Sequence, residues 1–483
     1  MAMMEPVWGV YAGDEWVRAS RGTTITVVNP ATEDAIASVP RGAAADARMA
    51  VHAARWAFDE GPWPRLKPAE RATLLRRFAV EATIDRPLLI DLAVRSGGFP
   101  VSSADAVAVT PSLDAFAWYA ERAARDPESR LPDHAGTSST VVREPAGVVA
   151  VLAAAAEPLA AIVHKAIPAL AAGNTVVVKA ASGAPLHAYA LARCAHRAGL
   201  PPGVFNVVSG PARDVGAELA GNAMVDVVAL AGRVATGRRV AARAAATLKT
   251  CVFTLGASGT AIVLDGADPA AIAPALVAAW LSNAGQSWGA PCRAVVSAAA
   301  HDAFVDAVLH EVKGSTVGDP ANEATRVGPL RTAKARDRAE AMIAAAVAGG
   351  ATLVAGGGRP DHLARGFFLE PAVVAGVAPS MSLATEEIAA PVLAVIEAAD
   401  DEAAIRIAND RLDAVSAIVW AGSRERALAA ARQIRAGTVA AQDAGVNPWA
   451  PAGGYGHAGL GRERGLAGLD AYSEIKHVAG PAT

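Results

Sequence analysis

The feature that most constrains the fold is an alternation of short apolar strands and amphipathic helices between residues 147 and 230. The strands are apolar at nearly every position, unlike strands of a sheet with one face in water. Such strands must be covered on both faces, so the pattern predicts a parallel sheet between two layers of helices. The predicted strands are 147–152 (GVVAVL), 174–179 (NTVVVK), 204–208 (VFNVV) and 225–230 (VDVVAL), and the predicted helices are 158–172, 186–198 and 214–220.

A second alternating block begins near residue 261 and predicts a second α/β domain. Its predicted strands are 261–264, 293–297 and 417–420, and its predicted helices are 269–283, 301–313 and 333–348. Nearer the start of the chain, alternating β-branched residues predict a hairpin over 21–40, and helical periodicity predicts helices over 43–58 and 68–82. The polar segment 125–142 is expected to leave the first domain.

Length, composition and charge exclude several classes of protein. A chain of 483 residues with 53% hydrophobic content can bury the cores of two or three domains. Its net charge of -3 gives none of the positive surface that nucleic acids or anionic membranes attract. Apolar runs fall well short of the ~20 residues of a membrane span, and the first residues lack a signal-peptide pattern. The three cysteines have no metal-type spacing. We therefore expect a cytoplasmic protein without a metal site.

Several ordered motifs resemble those of the NAD(P)-dependent aldehyde dehydrogenase superfamily along nearly the whole chain. They are AGNT at 172–175, PPGVFNVVSG at 201–210, NAGQ at 283–286, EEIAAPV at 386–392 and GGYGHAGLGRERGLAGLDAYSEIKH at 453–477. The resemblance implies an α/β fold with a Rossmann-type cofactor domain, an α/β catalytic-type domain and a β-hairpin oligomerisation element. It places the cofactor domain at 1–124 and 146–253, the catalytic-type domain at 254–450, and the oligomerisation element at 125–145 and 466–483.

The same resemblance indicates that three catalytic positions have changed. The family's chemistry uses a cysteine nucleophile, a donor to the oxyanion and a carboxylate that activates water. The matching positions here are Trp288, Ala156 and Thr254. An indole cannot form a thioester, and we expect its bulk to fill the place where aldehyde and nicotinamide meet. Alanine offers no side-chain donor, and threonine is not basic near neutral pH.

Three nearby residues offer alternatives. Cys292 lies four residues beyond Trp288 and is a candidate for a displaced nucleophile, although buried free cysteine is common. Ser287 could attack a carbonyl only beside a base, and the sequence shows none. Glu157 stands where the family prefers an aromatic residue; it is a candidate base, but we expect it to be solvated at a cavity mouth.

The cofactor motifs are partly kept. By resemblance, Lys179 is expected to bond the adenine ribose, and Ser182 replaces a glutamate that disfavours a 2'-phosphate. Gly232 and Gly237 frame a turn that places a pyrophosphate at a helix N-terminus. Arg233 lies in that turn and is expected either to pair with a phosphate or to occupy its site. Glu387 matches a ribose-binding glutamate, so NAD or NADP remains a candidate cofactor.

Three hypotheses about function follow. The leading one is a non-catalytic structural or regulatory subunit, assembled as a homo-oligomer (dimer or tetramer) or with an active aldehyde dehydrogenase. The second is an NAD(P)-dependent aldehyde oxidoreductase that uses non-standard residues, either without a covalent intermediate or with a relocated thiol. The third is a nucleotide-binding sensor.

Overall fold

The structure is a computed structural model that describes residues 9–256 and 258–481. Residue 257 and the two ends of the predicted domains, residues 1–8 and 482–483, lie outside the described residues. Within the described part, the strands are β1 (Gly9–Ala12), β2 (Glu15–Arg18), β3 (Thr24–Val28), β4 (Ala35–Pro40), β5 (Glu128–His134), β6 (Thr137–Pro145), β7 (Val148–Leu152), β8 (Thr175–Lys179), β9 (Phe205–Val208), β10 (Val227–Gly232), β11 (Thr250–Leu255), β12 (Gly259–Val263), β13 (Pro291–Ser297), β14 (Thr352–Ala355), β15 (Ala372–Ala375), β16 (Val392–Ala398), β17 (Ser416–Trp420), β18 (Thr438–Ala441), β19 (Gly459–Leu460) and β20 (Ser473–Pro481).

Helices connect most of these strands. They are α1 (Ala44–Asp59), α2 (Pro68–Ile84), α3 (Arg86–Gly97), α4 (Val101–Ala104), α5 (Thr110–Arg122), α6 (Pro158–Ala171), α7 (Leu186–Ala198), α8 (Ala217–Gly221), α9 (Val234–Ala244), α10 (Pro269–Leu281), α11 (His301–Lys313), α12 (Ala333–Ala348), α13 (Ser382–Thr385), α14 (Asp401–Asn409), α15 (Arg424–Ala431) and α16 (Gly465–Asp470). Single turns of 3-10 or π geometry occur at Trp63–Arg65, Asp105–Val109, Ala212–Gly216, Ala245–Thr247, Ser282–Gly285 and Gly456–Ala458.

The first sheet has the strand order β19-β11-β10-β7-β8-β9-β1-β2. Strands β7 to β11 are parallel to one another, as the sequence predicts. Along β7, Val149 and Val151 face one hydrophobic core, whereas Val148, Ala150 and Leu152 face the core on the opposite side. This two-sided burial explains why the strand lacks polar residues. Chain order reverses between β7 and β10, which creates a crevice at their carboxyl ends.

The second sheet has the order β14-β15-β16-β13-β12-β17-β18, and only β14 runs antiparallel to its neighbour. It is covered by helices that include α10, α11 and α14 and encloses a separate core. The predicted strands at 261–264, 293–297 and 417–420 correspond to β12, β13 and β17. Strands β14, β15 and β16 were not among the predicted strands. The domain boundaries given above stay a prediction.

A three-stranded antiparallel sheet of order β20-β6-β5 contains the polar segment that was expected to leave the first domain. Ala135 and Gly136 connect β5 to β6 with φ angles of 48° and 78°. Two successive left-handed residues form the tight turn that suits a two-residue hairpin. Among the described residues, no helix has the length and apolar character required to cross a membrane.

Candidate active site

Two cavities lie at the carboxyl ends of the parallel strands of the first sheet. The larger has a volume of about 770 Å³ and the smaller about 330 Å³. Ala231 and Gly232, at the end of β10, line both cavities. Ligands of open α/β sheets bind in such crevices, where the strand order reverses. The arrangement can therefore hold one extended ligand with a part in each cavity.

The larger cavity has a cationic wall. The predicted residues Lys179, Ser182 and Gly232 line it. Lys179 Nζ donates to Ser182 Oγ at 3.1 Å, and burial lowers the pKa of Lys179 to about 8. The wall also includes Arg41, Arg213, Arg239 and Arg243, which belong to none of the family motifs and so were not predicted from the sequence. This concentration of guanidinium groups suits phosphate groups.

The remaining residues predicted to bind the nucleotide, Arg233, Gly237 and Glu387, do not line the larger cavity. Gly237 is buried, and a Cβ added there would lie 2.3 Å from the Leu255 side chain, so its role is close packing of α9 on β11. Arg233 precedes α9 and lines the smaller cavity, as does Glu387. Burial raises the pKa of Glu387, and the charge of Arg233 opposes that rise. The structure thus places Arg233 and Glu387 together, apart from Lys179.

The smaller cavity brings together the three predicted catalytic positions. Ala156, Thr254 and Trp288 all line it. One face of α6 and the residue before it contribute Glu157, Ala160, Ala161 and His164. Residues at this three-, four- and seven-residue spacing share one side of a helix. The catalytic roles assigned from the family resemblance stay predictions.

A strained loop holds Trp288 in the cavity wall. Asn283, Ala284 and Gly285 have consecutive φ angles of 48°, 53° and 70°. A side chain at Gly285 would place its Cβ 2.2 Å from the Ala390 carbonyl oxygen, so only glycine fits without movement. Asn283 Nδ2 donates to the Ala156 carbonyl at 3.2 Å, which ties this loop to the segment before α6. Left-handed non-glycine residues of this kind concentrate at functional sites.

The expectation that Trp288 fills the place where aldehyde and nicotinamide meet stays a prediction, but the indole does not close the smaller cavity. A cavity of about 330 Å³ remains, and the indole forms part of its wall. The Trp288 ring centroid lies 5.9 Å from the Arg464 guanidinium carbon. Trp288 Nε1 is buried and has no hydrogen-bond partner among the described residues. Trp288 therefore contributes to the cavity wall, while its Nε1 donor is covered by neighbouring atoms and is not exposed to the open space.

Glu157 is half-buried in the wall of the smaller cavity, whereas a solvated residue at a cavity mouth was expected. Glu157 lines the smaller cavity, and burial raises the pKa of its carboxyl group, although the Ser287 hydroxyl and the Trp288 backbone N–H act to lower it. A base does therefore lie beside Ser287. However, the Ser287 side chain is buried, its Oγ lies 3.0 Å from Ser282 Oγ, and it lines neither cavity. Glu157, and not Ser287, can therefore act as a base on a molecule in the cavity.

Thr254 belongs to a buried polar cluster. Lys165 Nζ donates to Thr254 Oγ1 at 3.0 Å and to Glu463 Oε2 at 2.8 Å. Burial acts to raise the pKa of Glu463, but Lys165 and His164 outweigh it and bring this pKa to about 2. Burial lowers the pKa of His164 to about 3, so its ring is neutral. Glu463 is therefore an ion-paired carboxylate and a poor base.

None of the three cysteines lines either cavity. Cys292 is buried in β13, where its Sγ lies 3.9 Å from the Gly259 carbonyl oxygen. Burial raises the pKa of Cys194 and that of Cys251, which makes both thiols less reactive. Within the described residues, no cluster of three or more His, Cys, Asp or Glu side chains could hold a metal ion. A relocated thiol is therefore not available at this site.

Comparison with known proteins identifies the family. The model of the aldehyde dehydrogenase family matches residues 16–478. The chain belongs to the aldehyde dehydrogenase family. It is 37% identical to a 3-succinoylsemialdehyde-pyridine dehydrogenase of a Pseudomonas species, over 97% of this chain and 98% of the relative. It is 33% identical to a betaine aldehyde dehydrogenase of Bacillus subtilis, over 97% and 96% of the two chains.

A solved structure of this family has the same fold. The aldehyde dehydrogenase of Mycobacterium tuberculosis in complex with NAD+ superimposes with a TM-score of 0.95 at 37% identity, covering 98% of each chain. The fold class predicted from the sequence is therefore confirmed, as is NAD or NADP as the cofactor of this family.

These findings correct the leading hypothesis. The prediction of a non-catalytic structural or regulatory subunit is wrong, because relatives 33–37% identical along nearly the whole chain are named as dehydrogenases of aldehydes. The sequence shows which catalytic groups are absent at Trp288, Ala156 and Thr254. It could not show that the cavity stays open and that the Glu157 carboxyl lies inside it. The alternative of an oxidoreductase with non-standard residues agrees better with these observations.

Proposed function

We propose that this protein is an NAD(P)-dependent aldehyde oxidoreductase that oxidises hydrated aldehydes without a covalent enzyme intermediate. The observation that carries the proposal is the position of Glu157, whose carboxyl group lines a cavity that shares its edge with the cationic cavity. Family membership supports the reaction class, and the absence of any cysteine from both cavity walls favours a route that needs no thiol.

The chain's own residues supply proton transfer and orientation. A hydrated aldehyde carries two hydroxyl groups on the carbon to be oxidised. NAD(P), when bound, accepts the hydride that leaves this carbon. Glu157, as a carboxylate, removes the proton of one hydroxyl, and that oxygen becomes the carbonyl oxygen of the carboxylic acid product. The Trp288 indole lines the same cavity and offers the substrate an apolar surface.

Residues of both cavities fit the dinucleotide. Lys179 and Ser182 are suited to the adenosine ribose and to a 2'-phosphate, and the end of β10 at Gly232 allows close approach of the pyrophosphate. Arg233 and Glu387 are suited to the nicotinamide half. Serine at 182 carries no charge that would repel a 2'-phosphate, so both NAD and NADP are candidates.

The substrate class and the assembly are further parts of the proposal. The named relatives act on a pyridine-bearing semialdehyde and on betaine aldehyde, which makes small polar aldehydes the first candidates here. Strand β5 has one unpaired edge within the described residues, and a second copy could add a strand there. We propose self-association through the three-stranded sheet, with residues 125–145 and 466–483 as the assembly element.

Steady-state kinetics test this function. The purified protein is assayed with a panel of short aldehydes and with NAD or NADP, before and after treatment with iodoacetamide. We expect production of reduced nucleotide and of carboxylic acid in equal amounts, unchanged by alkylation. The Cys292→Ala variant should retain full activity. Loss of activity on alkylation, or in that variant, would contradict the non-covalent route, and no turnover across the panel would contradict the function.

A further inference from the structure

Glu157 and Arg464 face the same cavity from distant parts of the chain. Glu157 immediately precedes α6, and Arg464 immediately precedes α16. Both residues line the smaller cavity, and both are only half-buried, so neither is sealed off from it. A carboxyl group and a guanidinium group therefore share one confined space, where water screens their interaction less than at an open surface.

Trp288 adjoins both of these groups. Its ring centroid lies 5.9 Å from the Arg464 guanidinium carbon, a distance at which the face of an indole attracts a cation. Its backbone N–H is one of the groups that act on the Glu157 carboxyl group. Because Trp288 is held by the strained loop described above, the cavity wall fixes where the guanidinium stands relative to the carboxyl group.

The Arg464 guanidinium has no counter-ion in direct contact. Among the described residues, no carboxylate oxygen lies within 4.0 Å of its nitrogens. The adjacent Glu463 carboxylate is paired with Lys165 at 2.8 Å. Arg464 Nε is covered and has no hydrogen-bond partner in the described part of the chain, so this atom is not available to a ligand. Arg464 therefore acts on its surroundings chiefly through its charge.

Five influences set the pKa of the Glu157 carboxyl group. Burial raises this pKa and is the largest of them. The Ser287 hydroxyl, the charge of Arg464 and the Trp288 backbone N–H lower it, whereas the charge of Glu463 raises it. Arg464 is the one cation among these influences within the described residues. Without it, only two hydrogen-bond donors would oppose burial.

The other charged groups of the cavity do not take this role. Arg331 Nη2 donates to the Gly183 carbonyl at 2.8 Å, and Arg331 Nη1 is covered and has no partner among the described residues. The charge of Arg233 acts on Glu387. The His164 ring is neutral, because burial lowers its pKa to about 3. None of these three is among the groups that act on the Glu157 carboxyl group.

We propose that Arg464 is a positioning residue for the base: its guanidinium, held on the Trp288 ring, keeps the Glu157 carboxylate ionised and ready to remove a proton. Arg464 does so through Glu157 and makes no bond to the substrate. The inference rests on the proposed function, because it takes Glu157 as the base. It goes further by naming the residue that lets a half-buried carboxyl group work as one.

The pH dependence of kcat/KM tests this role in the full-length enzyme, with the aldehyde of the panel that it oxidises fastest. Loss of the cation should move the rising limb to higher pH. Arg464→Gln should therefore be roughly tenfold slower than the wild type on that limb and equal to it on the plateau at high pH. Arg464→Lys keeps the charge and should restore most of the limb. Arg462→Gln is the matched control, because it removes a charge two residues away that does not line the cavity, and its profile should match the wild type.

Infrared titration measures the same carboxyl group without turnover. The C=O stretching band of protonated Glu157 is the band that Glu157→Gln removes, and its loss with rising pH reports ionisation directly. We expect this loss to occur at higher pH in Arg464→Gln than in the wild type. If thermal melting shows that Arg464→Gln does not fold, Arg464→Met replaces it in both measurements, because its stem can still pack on the Trp288 ring.

The two measurements separate this inference from the proposed function. An equal infrared midpoint in the wild type and the neutral variant would overturn the role of Arg464, as would a rate that falls by the same factor at every pH. A shifted midpoint in a protein that shows no turnover would contradict the proposed function alone.

Discussion

Lys165 Nζ lies 2.8 Å from Glu463 Oε2, in an ion pair that joins α6 to the segment before α16. The Lys165 side chain is fully buried and that of Glu463 is 8% exposed. Charges are retained in a protein interior only when they are paired and hydrogen-bonded. The pair, with Thr254, therefore fixes the end of β11 and the base of the smaller cavity relative to residues far apart in the chain.

Removal of one partner should be strongly destabilising. We expect Lys165→Met to lower the free energy of unfolding by about 3–5 kcal/mol, because it leaves the Glu463 carboxylate buried and unpaired. Urea denaturation followed by circular dichroism measures this change. The double variant Lys165→Met with Glu463→Gln should recover much of the loss. Equal destabilisation of the single and double variants would show that the pair itself is not the cause.

The lowered pKa of the Glu463 carboxyl group should make the stability of the protein depend on pH. The pKa of Glu463 is lowered from 4.5 to about 2, so folding favours its ionised form. Its contribution is therefore fully present above pH 4.5 and is lost as the pH falls toward 2. We expect the stability difference between the wild type and Glu463→Gln to shrink over this range in urea titrations at successive pH values. A difference that stays constant with pH would contradict this assignment.

Glu157 should control the oxidation rate. The carboxylate form acts as the base, so the rate should rise with pH as the group ionises through its raised pKa. We expect Glu157→Gln to lower kcat by about 10²–10⁴-fold, the range of general base catalysis, and to remove this pH dependence. Nucleotide affinity, measured by fluorescence titration, should not change. An unchanged kcat in Glu157→Gln would show that another group takes the proton.

Trp288→Cys should introduce a covalent step. A thiol at this position lies in the cavity wall and can attack an aldehyde. In the double variant Trp288→Cys with Glu157→Gln, neither residue 157 nor Thr254 can activate water to hydrolyse the resulting thioester. We expect an acyl-enzyme to accumulate with aldehyde and NAD(P), detectable by intact mass spectrometry. Adding Thr254→Glu should reduce that accumulation. The Trp288→Ala variant is the control and should show no adduct; an adduct there would indicate labelling elsewhere.

Gly285→Ala should disturb the loop that holds Trp288. Its φ angle of 70° and the 2.2 Å approach of an added Cβ to the Ala390 carbonyl leave no strain-free conformation. We expect a clear fall in melting temperature together with weaker substrate binding, since the cavity wall must shift. Gly221→Ala is the matched control, because nothing lies within 4 Å of a Cβ there. Comparable effects of the two variants would argue against a special role for Gly285.

Much of the fold could be predicted from the sequence because local patterns decide it. The run Val148 to Leu152 is apolar at every position, and its residues do alternate between two cores. Helix α6 starts at Pro158 and ends near the predicted residue, since proline favours the first turn of a helix. A strand or helix of this kind is determined by residues that are close in the sequence, so it can be predicted from the sequence alone.

The candidate site could be predicted only in part, because its geometry depends on distant segments. Lys179 and Ser182 were found from a contiguous motif. The place of Glu157 in the wall of the smaller cavity could not be found in this way, since Trp288 and Arg464, far along the chain, form other parts of that wall. Likewise, the side-chain direction of Trp288 decides whether the cavity is filled or lined, and residue identity does not specify that direction.

The pairing of β6 with β20 has a consequence for biosynthesis. Glu144 of β6 bonds to Lys476 of β20, 332 residues later in the chain. At roughly 5–20 residues per second, a ribosome needs roughly 15–65 s to make the intervening chain. During that time β6 presents an open edge to other nascent chains in the same polysome. Its many serine and threonine residues reduce the hydrophobic attraction that would otherwise make this delay a route to aggregation.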